Sequence, residues 1–174
     1  CIWKMGLLSS KPLPTNNPGI KNQGFCLPAK SLPDMTSRLT SENHDRDVAG
    51  LKYIYPVISR RAGGLSVGVN FNTNNACNWR CVYCQVPDLK LGAAPPVDLA
   101  LLERELAAFL DDVQKGSFYE RFGVEACNRV IKDIAISGNG EPSSADNFAE
   151  AVALIGQVAK RLGVFPASRF VLIT

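Results

Sequence analysis

The sequence predicts an α/β fold built on a parallel sheet, and three observations predict it. Between Gly64 and Phe71 apolar residues alternate with small or polar ones; two long segments repeat apolar residues at helical spacing; and two apolar runs, about Val130 to Ser137 and Phe170 to Thr174, follow those segments. Strand, helix, strand, helix, strand is the order that a parallel sheet with right-handed crossovers requires.

Residues 1–47 carry Pro12, Pro14, Pro18, Pro28 and Pro33 among Asn, Ser, Lys and Gly, with no period that a core could use, and they are expected to form a disordered lead. Met35 stands directly before the first patterned segment and is a candidate native start. Patterned chain then fills residues 48–174.

In the first strand Leu65, Val67, Val69 and Phe71 share one face, and Ser66, Gly68, Asn70 and Asn72 the other. A loop over 72–84 follows. Pro95 and Pro96 punctuate the chain before Asp98, a good N-cap for a helix whose stripe is Leu99, Leu102, Leu106, Phe109, Leu110 and Val113, ending near Gly116. Asp111 and Asp112 sit at the unfavourable end of its dipole and are expected to be solvated.

The second strand runs from about Val130 to Ser137 and ends in the turn Gly138-Asn139-Gly140-Glu141-Pro142. Ser143 and Asp146 have capping-box spacing ahead of a stripe of Phe148, Val152, Ile155, Ala159 and Leu162, closed by Gly163. Phe170 to Thr174 starts a third strand, at which the sheet is expected to be truncated with an open apolar edge.

Composition narrows the function. A net charge of +3, from 19 Lys and Arg against 16 Asp and Glu without runs of one sign, is too weak for a nucleic-acid surface. No stretch reaches the roughly 18 to 20 apolar residues of a membrane span, and no basic-then-apolar leader opens the sequence, so a cytoplasmic protein is expected.

Six cysteines remain to be explained, and three of them crowd into Cys77-Asn-Trp-Arg-Cys81-Val-Tyr-Cys84 on the loop after the first strand. Thiols this closely spaced can wrap the corners of an iron-sulfur cube, leaving the fourth iron an open coordination position. A structural zinc site would draw its fourth ligand from Cys127 or His44, neither of which forms a paired knuckle. A closed 2Fe-2S site with Cys127 as the distant ligand would want a spacing one residue longer between the first two thiols. Cys26 and Cys127 otherwise read as free thiols, His44 as a solitary histidine, Arg60-Arg61 as a solvated pair, and Trp79 and Arg80 as surface residues.

Gly138 and Gly140 lie at the C-terminal end of a strand, where parallel sheets place their sites, and let the backbone approach a ligand. The plainer reading is a tight turn with Gly140 at positive φ. No third glycine continues a phosphate-cradling fingerprint, which argues against a nucleotide-dependent dehydrogenase.

On these two motifs, over roughly residues 50–174, the sequence resembles the radical S-adenosylmethionine superfamily, whose signature is three cysteines separated by three and two residues with an aromatic before the last, here Tyr83, together with a glycine-glutamate-proline turn after the next strand. The resemblance implies a partial parallel (β/α) barrel of the radical SAM type, truncated after the third strand. It implies a 4Fe-4S cluster on Cys77, Cys81 and Cys84 that reductively cleaves S-adenosyl-L-methionine to a 5'-deoxyadenosyl radical, which abstracts hydrogen from a substrate. It assigns Tyr83 to the adenine and the carbonyls of Gly138, Asn139, Gly140 and Glu141 to the ammonium of the methionine end; Asn139, between the glycines, departs from the family pattern. An external electron donor of flavodoxin or ferredoxin type is implied as partner. The lead into Gly140-Glu141-Pro142 loosely resembles the branch that builds wyosine bases in transfer RNA. The competing class is a non-enzymatic iron-sulfur electron-transfer or zinc-binding module.

Overall fold

The computed structural model describes residues 2–4, 39, 49–84, 86–115 and 117–174. Apart from residues 2–4 and 39, the expected disorder of the first 47 residues, the Met35 start and the solitary reading of His44 lie outside the described residues.

The fold is α/β, with a five-stranded sheet that does not close on itself. In chain order the elements are β1 (Ile2–Lys4), β2 (Ile54–Ser59), β3 (Gly64–Val69), α1 (Leu99–Gln114), α2 (Ser117–Arg121), β4 (Ile131–Ile136), α3 (Phe148–Arg161) and β5 (Arg169–Ile173), and the strands stand in the order β1-β5-β4-β3-β2. The three strands expected from the sequence are β3, β4 and β5, and they pair in parallel: Val67 opposes Ile134, and Ala135 opposes Val171.

Both outer strands run the other way. β2 forms an antiparallel hairpin with β3, with Ile54 opposite Val69 and Ser59 opposite Gly64, and β1 lies antiparallel along β5, with Lys4 opposite Val171. The purely parallel sheet is therefore corrected to a mixed one. The edge of β5, expected to stand open, is occupied by β1. Pro56 is tolerated within β2 because an edge strand can spare one backbone donor.

The helices cover one face of the sheet. Leu65, Val67, Val69 and Phe71 from β3 and its extension pack in one core with Leu102, Leu106, Phe109 and Leu110 of α1 and Ile155, Val158 and Ala159 of α3. The stripe of α1 is the one its sequence announces, and Asp98 caps it by accepting the Leu101 N–H at 2.9 Å. Asp111 and Asp112 are not merely solvated: Asp111 pairs with Lys115, while Asp112 accepts from Ser117 and from both Arg121 nitrogens, binding α2 to the end of α1.

On the opposite face the Tyr55 ring lies over Gly68, where an added Cβ would fall 2.2 Å from the ring, and the Tyr55 hydroxyl meets the Ser137 hydroxyl at 2.7 Å. The capping box at Ser143 and Asp146 does not form. Pro142–Ser144 is a single 3-10 turn capped by the Glu141 carboxylate, and α3 begins only after Asn147. The Asn147 side chain instead reaches back to the segment leading into α1, accepting from the Val97 N–H and donating to the Val97 carbonyl, each at 2.8 Å.

Candidate functional site

β3 and β4 are parallel neighbours, so their C-terminal ends deliver two loops to the same rim of the sheet: the cysteine loop after β3 and the glycine turn after β4. The neck of the cysteine loop is closed by a bridge between Ala76 and Lys90, in which the Cys77 N–H donates to the Lys90 carbonyl at 2.9 Å and the Lys90 N–H to the Asn75 carbonyl at 2.8 Å. Thirteen residues lie between Ala76 and Lys90, enough to carry all three thiols. Cys77 is buried at the neck, whereas Cys81 and Cys84 are exposed; all three are free thiols.

Local bonds shape the loop. The Trp79 N–H points at the Cys77 sulfur at 3.4 Å, and the Cys84 N–H donates to the Cys81 carbonyl at 3.0 Å, folding the last two thiols into one turn. Tyr83 is 70% exposed, and its hydrogen bond with Cys81 holds the phenol above its ordinary pKa, with burial and the charges of Cys81, Glu141 and Cys84 pushing the same way. Trp79 and Val82 are exposed as well, beside the exposed Asn78, Arg80 and Asp88, so the loop presents a mixed outer surface with two exposed aromatic rings.

The glycine turn is seated against the neck. Asn72 Nδ2 donates to the Ala76 carbonyl at 2.8 Å and to the Glu141 carbonyl at 3.3 Å; Asn70 Oδ1 accepts the Asn139 N–H at 3.1 Å; and Asn139 Nδ2 donates to Asn75 Oδ1 at 2.6 Å. Neither Gly138 nor Gly140 is among the glycines at positive φ, which corrects the tight-turn reading. Space is what requires them: a Cβ on Gly140 would stand 2.6 Å from both the Ala76 carbonyl and Asn72 Nδ2, and one on Gly138 only 2.0 Å from Asn70 Oδ1. The Glu141 carboxylate accepts from Ser143 Oγ at 2.6 Å and Thr174 Oγ1 at 2.8 Å, tying the turn to the end of β5.

Thus Cys77, Cys81, Cys84 and Tyr83 share one loop, and Gly138, Asn139, Gly140 and Glu141 abut it. Cys127 is elsewhere. It belongs to the 3-10 turn Ala126–Asn128 that precedes β4, at the opposite end of a strand about 20 Å long, and it is disulfide-bonded rather than a free thiol. It cannot serve as the fourth ligand of a zinc or 2Fe-2S site on the loop. Asn70 and Asn72, which hold the two motifs together, were not singled out in the sequence; their signal was two amides where the polar side of β3 runs out.

Among the described residues no three Cys, His, Asp or Glu side chains are gathered closely enough to hold a metal ion. The donor set nevertheless suits an iron-sulfur cluster: three free thiols on one short loop, one of them already receiving a backbone N–H. A cavity of about 420 Å³ adjoins the asparagines on the β2 side, lined by Lys52, Tyr53, Asn70, Thr73, Asn75 and Asn139 among others. No helix among the described residues is long and apolar enough to cross a membrane. Comparison of the chain with protein-family models, with curated proteins and with solved structures found no match.

Proposed function

We propose that this chain belongs to a radical S-adenosylmethionine enzyme, with a 4Fe-4S cluster on Cys77, Cys81 and Cys84 and the methionine end of the cosubstrate at the Gly138–Glu141 turn. The observation that carries the reading is the junction of the two motifs. Read separately in the sequence, they meet at adjacent parallel strand ends and are bonded through Asn72 to the carbonyls of Ala76 and Glu141. A connection serving only to join β4 to α3 has no need to be built against the neck of a thiol loop. The mixed sheet, with β3, β4 and β5 parallel, is compatible with part of a (β/α) barrel.

When bound, the cluster supplies the electron that cleaves a carbon-sulfur bond of S-adenosylmethionine and so starts hydrogen abstraction. The chain's own residues place and shield. The Trp79 N–H directed at the Cys77 sulfur is a lever on the redox potential of a cluster held there. The Glu141 carbonyl already accepts from Asn72 Nδ2, Ser144 Oγ and the Ser144 N–H, which fills its lone pairs. An incoming ammonium is therefore left to the carbonyls of Gly138, Asn139 and Gly140. The exposed ring of Tyr83 offers a flat surface to an adenine, and the exposed loop leaves access for a one-electron donor of flavodoxin or ferredoxin type.

The test is anaerobic reconstitution with iron and sulfide, followed by electron paramagnetic resonance of the reduced protein with and without S-adenosylmethionine. A spectrum altered by the cosubstrate is expected. A cluster indifferent to it would leave an electron-transfer module, and stoichiometric zinc with no cluster would leave a structural metal site.

A further inference from the structure

Two buried amides stand at the end of β3 with no part in the chemistry so far. Asn72 is 0% exposed and Asn70 6% exposed. Burying a primary amide is unfavourable unless it is bonded, so what these bond to indicates why they are there. Asn70 Oδ1 receives the Asn72 N–H at 3.0 Å and the Asn139 N–H at 3.1 Å. Asn72 Nδ2 is directed at two carbonyl oxygens, and those acceptors fix the amide: turned over, its oxygen would confront both of them. Its Oδ1 is the one buried side-chain oxygen or nitrogen among the described residues with no partner. The side chain is held by what its nitrogen does, at the expense of its oxygen.

What the nitrogen holds is specific. The Ala76 carbonyl belongs to the peptide group that joins Ala76 to Cys77, and the N–H of that same peptide donates to Lys90. Both ends of the peptide plane that aims the first thiol are therefore fixed, one of them by Asn72. The other acceptor, Glu141, ends the glycine turn, and Gly140 leaves too little room between them for even a Cβ.

We infer that Asn72 is a positioning residue whose amide sets the glycine turn against the Ala76–Cys77 peptide, so that the thiol site and the turn are placed as one unit. As a statement about cofactor and cosubstrate sites this rests on the function proposed above, but the mechanical coupling does not.

Two variants of the full chain test it, Asn72→Ala and Gly140→Ala, the second prising the same contact apart without touching Asn72 should the first fail to fold. In the chain without added metal, amide hydrogen exchange should accelerate on the order of tenfold in both segments 73–84 and 138–141, with the β3 and β4 core amides unchanged. After reconstitution both variants should keep wild-type iron and sulfide, yet need on the order of tenfold more S-adenosylmethionine to alter the spectrum of the reduced cluster. Acceleration confined to one segment, or spread evenly through the sheet, overturns the inference. A reconstituted wild type that ignores S-adenosylmethionine overturns the functional reading instead, and the exchange result still decides the coupling.

Discussion

The three thiols occupy unequal environments, Cys77 buried where the loop closes and Cys81 and Cys84 in the open, yet the proposed cluster needs all three. Cys77→Ala, Cys81→Ala and Cys84→Ala are each expected to abolish a stable cluster on reconstitution, while Cys127→Ala, altering a residue at the far end of β4, leaves it intact. Iron and sulfide counted per chain check this; loss of cluster in Cys127→Ala would contradict the placement of that residue. The cysteine motif and the glycine turn stand out in the sequence by residue type and spacing, and the structure brings them together at adjacent strand ends. Asn70 and Asn72 were not, since on a strand they read only as the polar half of an alternation. Their meaning comes from Ala76 and Glu141, and the second of these is sixty-nine positions away. Gly140 shows the same limit: the sequence suggests a backbone that needs freedom, whereas the structure shows one that needs room.

At the scale of elements, β3, α1, β4, α3 and β5 were all readable from their periods, because each buries one face against the same core. β2 was not. Its six residues Ile-Tyr-Pro-Val-Ile-Ser carry no clean alternation and contain a proline, which ordinarily argues against a strand, and only its place at the edge removes the objection. The hairpin makes Gly68 a sensitive position: Gly68→Ala would drive a methyl into the Tyr55 ring and loosen its bond to Ser137, and a loss of about 1–3 kcal/mol in urea unfolding is expected. The corner between α1 and α2 depends on charge. The hydrogen bond from Arg121, helped by Ser117 and opposed by partial burial, holds the Asp112 carboxyl below its ordinary pKa. A depressed carboxylate contributes stability above its unfolded pKa and loses it as pH falls through the folded value, so this corner should weaken in acid below the usual carboxylate range. Asp112→Asn is expected to cost about 1 kcal/mol at neutral pH and to flatten that acid dependence, as unfolding at the two pH values would show.

For the whole molecule, the central parallel strands and the helical layer follow from the order of elements, while the two antiparallel borders do not. β1 is the clearer case, because three residues at the start of a proline-rich stretch carry no signal and acquire one only from the row of backbone groups that β5 presents. A chain starting at Met35 would lack that cover. It is expected to self-associate with rising concentration where the full chain does so less, measurable by light scattering on the two side by side; equal behaviour would mean that β1 contributes nothing to shielding the edge.

A strand edge offers a single row of amide and carbonyl groups and so admits one neighbour at a time. β1 and any further parallel strand beside β5 are for that reason rivals for one seat, and curling this sheet toward a closed barrel from that side has to begin with eviction of β1. The other border gives no way round, since β2 runs antiparallel and Pro56 leaves a gap in its donors. The place where this sheet could grow is thus the place it currently guards with its own chain, and the affinity of β1 for β5 sets the threshold that any incoming strand must exceed.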